Sequence, residues 1–474
     1  MKRRNQGTQG LYSRRTVLRS VGAAAITSLA ACRQTGTNGD TGPPTGSSPH
    51  QLFDGYTDRQ SYRPGDEVSL FLNGTANSGT AVLSLNQWGG NPVLPVDTYL
   101  YPQEPAGAAP WETGFGYRTS AALTLPPDLH SGAYLVDGLV PVIVKADPMA
   151  PPADIVIVYP SNTLAAYNAA GGRSMYTPVR APIVSFLRPL GWISNVAFFS
   201  PFLEWFANPP LPYSFRYVAD VDLEDYQEIA GSKLLVLIGH SEYWSRVARE
   251  NFDQFVMEGG RALVLSGNTM WWQIRYGAYN SQLICYKESP DPEPDPALRT
   301  VNWTNRKLAY PIIRSIGADF PHGGFGVDYP KAGTGFRVLT PASPVFRGLE
   351  QKIAAGDLIE MPTLEYDGAP LISNPANPGE PQLDLAALDA YRAEIIGYEN
   401  CARNDTESSM VGPATNIATW IAYQRTATSG AIINGASTNW CSRTGAFGVD
   451  GFRIRQIILN MMNILVRGES PFSS

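Results

Sequence analysis

Leu234-Leu235-Val236-Leu237-Ile238-Gly239 runs directly into His240-Ser241-Glu242-Tyr243-Trp244. An unbroken apolar run of this length between polar flanks is what a strand buried on both faces requires, and such strands belong to parallel sheets covered by helices. Working outward, Asp154-Ile155-Val156-Ile157-Val158-Tyr159, Phe215 to Ala219 and Ala262-Leu263-Val264-Leu265 share that character. Asn162-Thr163 is placed to cap a turn over Leu164 to Tyr167, and a helix is expected over Ser245 to Glu258. Polar residues follow each strand: Asn162, then Asp220, Asp222 and Glu224, then His240 and Glu242, then Ser266-Gly267-Asn268-Thr269. Ala431-Ile432-Ile433-Asn434-Gly435 reads as a last strand and Ile454 to Leu465 as an amphipathic helix over the sheet. The expectation is an α/β fold over residues 149–474 built on a doubly wound, mostly parallel sheet, in which sites form beyond the carboxyl ends of the strands.

Residues 50–148 have a different rhythm. Tyr62-Arg63-Pro64-Gly65-Asp66 is a turn, Glu67 to Leu72 alternates, and Ala81 to Leu85, Ser131 to Val136 and Leu139 to Val144 are short apolar runs between Gly and Pro. That pattern predicts a small all-β sandwich, with a Pro-rich hinge at Asp147 to Pro152. At the amino terminus, Ser13-Arg14-Arg15-Thr16-Val17-Leu18-Arg19 precedes a mildly apolar run that ends in Leu29-Ala30-Ala31-Cys32. Paired arginines before such a run mark twin-arginine export, and small residues before Cys32 form a lipobox. Residues 1–32 thus read as a lipoprotein signal with lipid on Cys32, and residues 33–49, rich in Gly, Thr, Pro and Ser, as a flexible tether. The expected location is outside the cytoplasm, anchored to a membrane and facing the periplasm or exterior.

Charge and composition remove several functions. A net charge of −6, with no basic stripe interleaved with aromatics, argues against nucleic acid as a partner. With Cys32 lipidated, Cys285, Cys401 and Cys441 are an odd set that requires no disulfide framework. Gly239-His240-Ser241-Glu242-Tyr243 places Ser after a strand but has Tyr where a nucleophile elbow needs Gly, and no cysteine follows this strand. The four histidines, His50, His130, His240 and His322, are scattered, which disfavours a three-histidine zinc site. Carboxylates and phenolates remain, and these hard donors suit a hard ion such as ferric iron.

At these residues the chain resembles the N,N-dimethylformamidase large (beta) subunit family. The resemblance rests on Ser161-Asn162-Thr163, Ala166-Tyr167-Asn168, Gly171-Gly172-Arg173-Ser174, Gly239 to Ser245, Ser266 to Thr269 and Trp272 to Tyr276, and it extends to Ser131-Gly132-Ala133-Tyr134 and Leu364-Glu365-Tyr366-Asp367. It implies a class I glutamine amidotransferase-like catalytic region without its cysteine, beside a β-rich domain, holding one ferric ion through two tyrosines and a glutamate. Glu242 falls on the glutamate, Tyr167 on one tyrosine and Tyr134 on the other, with Tyr159 and Tyr176 as neighbouring alternatives to Tyr134. His240 and Asn268 resemble orienting residues, and Glu365 a carboxylate placed as general base; Ser241 stands where Asp is more often expected. The implied activity is iron-dependent hydrolysis of a small amide, with a small partner subunit or an oligomer. A non-catalytic module holding sugar or peptide among Trp244, Trp271, Trp272 and Tyr276 is the alternative.

The amino-terminal reading predicts two export phenotypes. Changing Arg14 and Arg15 together to Lys should leave precursor in the cytoplasm, and Cys32→Ala should give an unlipidated, uncleaved protein, both scored by cell fractionation and mass spectrometry. Normal lipidated product from either variant would remove this reading.

Overall fold

The computed structural model describes residues 53–473 apart from 75–78, 191–193, 288, 306, 327–332 and 403–415. The expected signal, the tether, Cys32 and His50 lie outside the described residues.

The first strands are β1 (Phe53–Thr57), β2 (Glu67–Gly74), β3 (Gly79–Gln87), β4 (Pro92–Leu100), β5 (Ala121–Thr124), β6 (Gly132–Val136) and β7 (Val140–Val144). They form two antiparallel sheets, ordered β1-β2-β5 and β4-β3-β6-β7. Alternate residues of β2, Val68, Leu70 and Leu72, meet Leu83, Leu85, Val136 and Val142 in one shared core, as the period of two requires.

Next come β8 (Ile155–Tyr159), β9 (Ile183–Ser185), β10 (Phe215–Ala219), β11 (Leu234–Gly239), β12 (Tyr243–Ser245), β13 (Arg261–Ser266), β14 (Trp272–Gly277) and β15 (Gln282–Ile284). Last are β16 (Asp319–Gly326), β17 (Gly333–Val338), β18 (Leu358–Thr363), β19 (Glu365–Gly368), β20 (Leu371–Ile372), β21 (Gln382–Leu383), β22 (Arg392–Ala402), β23 (Ile417–Gln424) and β24 (Ala431–Asn434).

Strands β10, β8, β11, β13 and β24 pair in parallel, and all five residues of β8 are buried. Its two faces divide cleanly. Ile155 and Ile157 join the core capped by helix Gly451–Arg467, through Ile454, Ile457, Ile458, Met461 and Leu465. Val156 and Val158 join the core capped by helix Arg246–Met257, through Phe252, Phe255 and Val256. That second helix is capped by Ser245, whose hydroxyl accepts the Ala248 amide at 3.1 Å, one of the donors a helix start leaves open.

The expectation of a doubly wound, glutamine amidotransferase-like sheet is corrected. The parallel strands are one side of a mixed eleven-stranded sheet, ordered β10-β8-β11-β13-β24-β23-β22-β16-β19, with β17 and β18 attached through β22. From β24 onward every pairing is antiparallel. Among the described residues strand outweighs helix, 35% against 19%, so there is too little helix for crossovers to clothe both faces of a parallel sheet of this width. The sequence hid this half because β16 reads Asp-Phe-Pro-His-Gly-Gly-Phe-Gly, a composition depleted in strands, yet all eight residues are buried. Its glycines serve close approach instead: a Cβ on Gly323 would stand 2.3 Å from the Tyr366 carbonyl oxygen, and one on Gly324 2.4 Å from that of Ala402.

The two β-rich parts are tied by ion pairs on two buried carboxylates. Glu228 takes Arg63 at 2.5 Å and Lys145 at 3.0 Å, while Asp222 takes Lys145 at 2.8 Å.

Gly267, just past β13, shows how tightly the two halves of the large sheet meet. A Cβ there would lie 2.5 Å from the Glu365 carbonyl oxygen and 2.8 Å from the Thr438 amide nitrogen. Both neighbours are backbone, so neither can swing away. Gly267→Ala should therefore destabilise the protein by roughly 1–3 kcal/mol, the usual range for overpacking, seen as a lower urea midpoint with unchanged slope.

Candidate active site

Three parallel strands end side by side and deliver Tyr167, His240 with Glu242, and Asn268 to one edge. Their approach is fixed by the backbone. The Glu242 amide donates to Thr163 Oγ1 at 2.9 Å, tying the loop after β11 to helix Ser161–Tyr167. The Met270 amide donates to the Ser241 carbonyl at 2.8 Å, tying the same loop to the one after β13.

Glu242 is fully buried, and both carboxyl oxygens are engaged. Oε2 accepts the Tyr167 hydroxyl at 2.9 Å and lies 3.2 Å from His240 Nε2. Oε1 accepts the Tyr176 hydroxyl at 2.8 Å and the Trp272 indole N–H at 3.0 Å. The Tyr167 and Tyr176 rings stack at 4.0 Å between centroids. The chain doubles back between them through Gly171 and Gly172, at φ +83° and +98°, a turn that favours glycine. Arg188, buried beneath it, donates to the carbonyls of Ala165, Asn168, Ala170 and Arg173. The motif Gly171 to Ser174 is thus the fold-back that sets Tyr176 against Tyr167.

His240 Nδ1 lies 3.0 Å from the Gly267 carbonyl. A carbonyl only accepts, so Nδ1 carries a hydrogen and Nε2 faces the carboxyl groups. Burial alone would lower the pKa of His240, but the charge of Glu365, with the bond to Glu242 beside it, outweighs burial and raises it to about 9. The two carboxyl groups thus favour the protonated ring. Glu365, at the start of β19, reaches His240 Nε2 at 3.6 Å and accepts the Asn268 side-chain N–H at 3.0 Å. With 20% of its side chain exposed, against none for Glu242, it is the carboxylate of the pair that solvent or substrate can reach.

Of the residues expected from the sequence, Tyr167, Glu242, His240, Asn268 and Glu365 come together. Tyr134 does not, and its expected role as a ligand is corrected. It lies on β6 in the core of the amino-terminal sheets, its hydroxyl donating to the His130 carbonyl at 2.8 Å, and burial pushes its phenol up to about 12. Its short Ser-Gly-x-Tyr frame marks a strand that needs an apolar ring. Tyr159 also faces away, packed on Trp88 and Phe199. Tyr176, one of the neighbouring alternatives, is the tyrosine that meets Glu242 beside Tyr167, and the double-glycine turn between the two rings is the signal that points to it.

Three contributions escaped the sequence reading, in which Trp272 stood only as a motif residue and a lining aromatic of the alternative module. Trp272 supplies its indole N–H, and Tyr243 donates to the Tyr176 oxygen at 2.5 Å. Lys287, buried, sets its ammonium 3.6 Å from the centre of the Tyr176 ring and 4.9 Å from that of Trp272. None of these roles follows from local pattern, because each depends on distant segments meeting.

Three oxygen donors, two phenols and a carboxyl group, thus converge beside a second carboxylate and the His240 ring. Residues 91–446 match the family described as N,N-dimethylformamidase beta subunit-like, C-terminal, a span that takes in all of these residues. Among curated proteins none matches the chain.

Proposed function

Because the chain belongs to the N,N-dimethylformamidase beta subunit-like family, we propose that it is a hydrolase of small amides, cleaving a carbon–nitrogen bond beside a ferric ion held by Tyr167, Tyr176 and Glu242. The observation that carries this reading is the meeting of both phenol oxygens on the Glu242 carboxyl group, at 2.9 and 2.8 Å. The donor chemistry fits the ion: two phenolates and a carboxylate are hard ligands whose three negative charges balance a trivalent cation. Once bound, such an ion supplies Lewis acidity to the negative charge that develops on the amide oxygen.

The remaining work falls to the chain's own side chains. Asn268 holds one oxygen of Glu365, which leaves the other to take a proton from the attacking water. His240, held by the Gly267 carbonyl, keeps its second N–H toward Glu365 and Glu242, fixing the base relative to the reacting carbonyl. The proton taken by Glu365 then goes to the departing amine, so that amide and water become acid and amine.

The beta subunit of the family description supports a second subunit as partner. Export by the twin-arginine route and anchoring through lipid on Cys32 belong to the same reading, supported by Arg14-Arg15 and by Leu29-Ala30-Ala31-Cys32. No helix among the described residues is long and apolar enough to cross a membrane.

Purified protein should hold one iron per chain and be coloured by tyrosinate-to-iron charge transfer. Tyr167→Phe and Tyr176→Phe should each weaken the colour, Glu242→Gln should lose metal, and Tyr134→Phe should change neither. Glu365→Gln should keep the iron while kcat falls by about 10²- to 10⁴-fold, the span of general acid–base contributions. Colourless protein that takes up no ferric iron would defeat the proposal and leave a non-catalytic binding module in its place.

A further inference from the structure

The turn after β13 is strained. Asn268 and Met270 stand at φ +51° and +56°, a region that residues with side chains seldom occupy. The turn is held from two directions. Thr269 Oγ1 donates to Ser266 Oγ at 3.1 Å, which in turn accepts the Ser241 amide at 3.0 Å. From the other side, the Thr269 amide donates to Asp367 Oδ2 at 3.3 Å.

Asp367 and Glu365 are two residues apart on β19, and in a strand such residues share a face. One takes the Asn268 side chain, and the other takes the next backbone amide. A single strand therefore grips the turn at both points. Asp367 is wholly enclosed, and the charge acting on it is the like charge of Asp319. Burial pushes its carboxyl up to about 8, the mark of an acid placed where folding alone would favour an apolar or amide side chain.

We infer that Asp367 is a positioning residue for the general base: its carboxyl group fixes the strained Asn268–Thr269 turn so that the Asn268 amide stays on Glu365. The assignment of Glu365 as base rests on the proposed function. The grip on the turn does not.

The test uses the full-length, iron-loaded protein with two substitutions. Asp367→Ala removes the acceptor and Asp367→Asn keeps an oxygen in the same place; Asp367→Ser, too short to reach the amide, replaces the alanine variant if that one fails to fold. Hydrogen exchange of the Thr269 and Met270 amides should speed up roughly tenfold in the alanine variant, in line with the loss of one hydrogen bond to an acidic group, while exchange in β13 and the iron content stay unchanged. The turnover number for amide hydrolysis should fall at least tenfold with KM within a factor of two, and Asp367→Asn should restore most of both. Unchanged exchange at Thr269 and Met270, or equal losses from Ala and Asn, would overturn the inference. A wild-type protein that hydrolyses no amide would instead count against the proposed function, with the exchange result still deciding whether Asp367 holds the turn.

Discussion

Everything at the site is arranged around the buried carboxyl group of Glu242. A carboxyl group taken wholly out of water is tolerated only where its oxygens are paired, and here the partners come from four separate places. They are the end of helix Ser161–Tyr167, the fold-back at Tyr176, β14 at Trp272 and the neighbouring His240. Each partner demands that its own element lie within hydrogen-bond reach. The adjacency of β8, β11 and β13 meets that demand, because it brings the loops after the strands to a common edge. Two of the partners are in turn held by others, Tyr176 by Tyr243 and His240 by Gly267, and Thr163 holds the Glu242 amide itself.

The parallel strands were legible because their sequences are nearly pure statements of burial. Ile155 to Val158 and Leu234 to Ile238 have no exposed face to encode, so a continuous apolar run is their only possible pattern. The polar residues at their ends were legible for the complementary reason: polar side chains at the end of an apolar strand have water or a ligand to face. Tyr134 failed on the same logic. A tyrosine buries its ring in a core as readily as it offers its oxygen to a site, and its sequence neighbours do not distinguish the two uses. Tyr176 differs only through its surroundings, a double-glycine turn that returns the chain to the Tyr167 ring.

The antiparallel half was not legible, and its strands explain why. β16 carries three glycines and a proline, and β22 mixes Arg392, Glu394, Glu399 and Asn400 with apolar residues across a register shift. In such strands burial is reached by backbone lying against backbone rather than by apolar side chains, so a hydrophobic pattern has little to report. Gly323 and Gly368 meet in this way, each close enough to carbonyl or amide atoms that a side chain would collide. Pairing of this kind is specified by what is missing from the residue, a Cβ, and not by anything a periodicity measures.

That half nevertheless supplies the residue on which the proposed chemistry turns. β19 is the last strand in the order, four places from β24, yet it meets the segment after β24 through the Tyr366–Ser437 bridge and through the Asp367 amide on the Ala436 carbonyl. The sheet thus returns upon its own parallel edge, and Gly267 is the point where the two surfaces touch. In a doubly wound sheet the groups of a site would all arise at strand ends. Here Glu365 arrives from the side, on a strand hydrogen-bonded into the antiparallel half. A carboxylate carried this way is braced along its own strand as well as by Asn268 from the loop after β13. Among the described residues His240 touches both Glu365 and Glu242, while Asn268 holds Glu365 from the loop after β13, so the proposed base and the anionic cluster are joined through that ring and that loop.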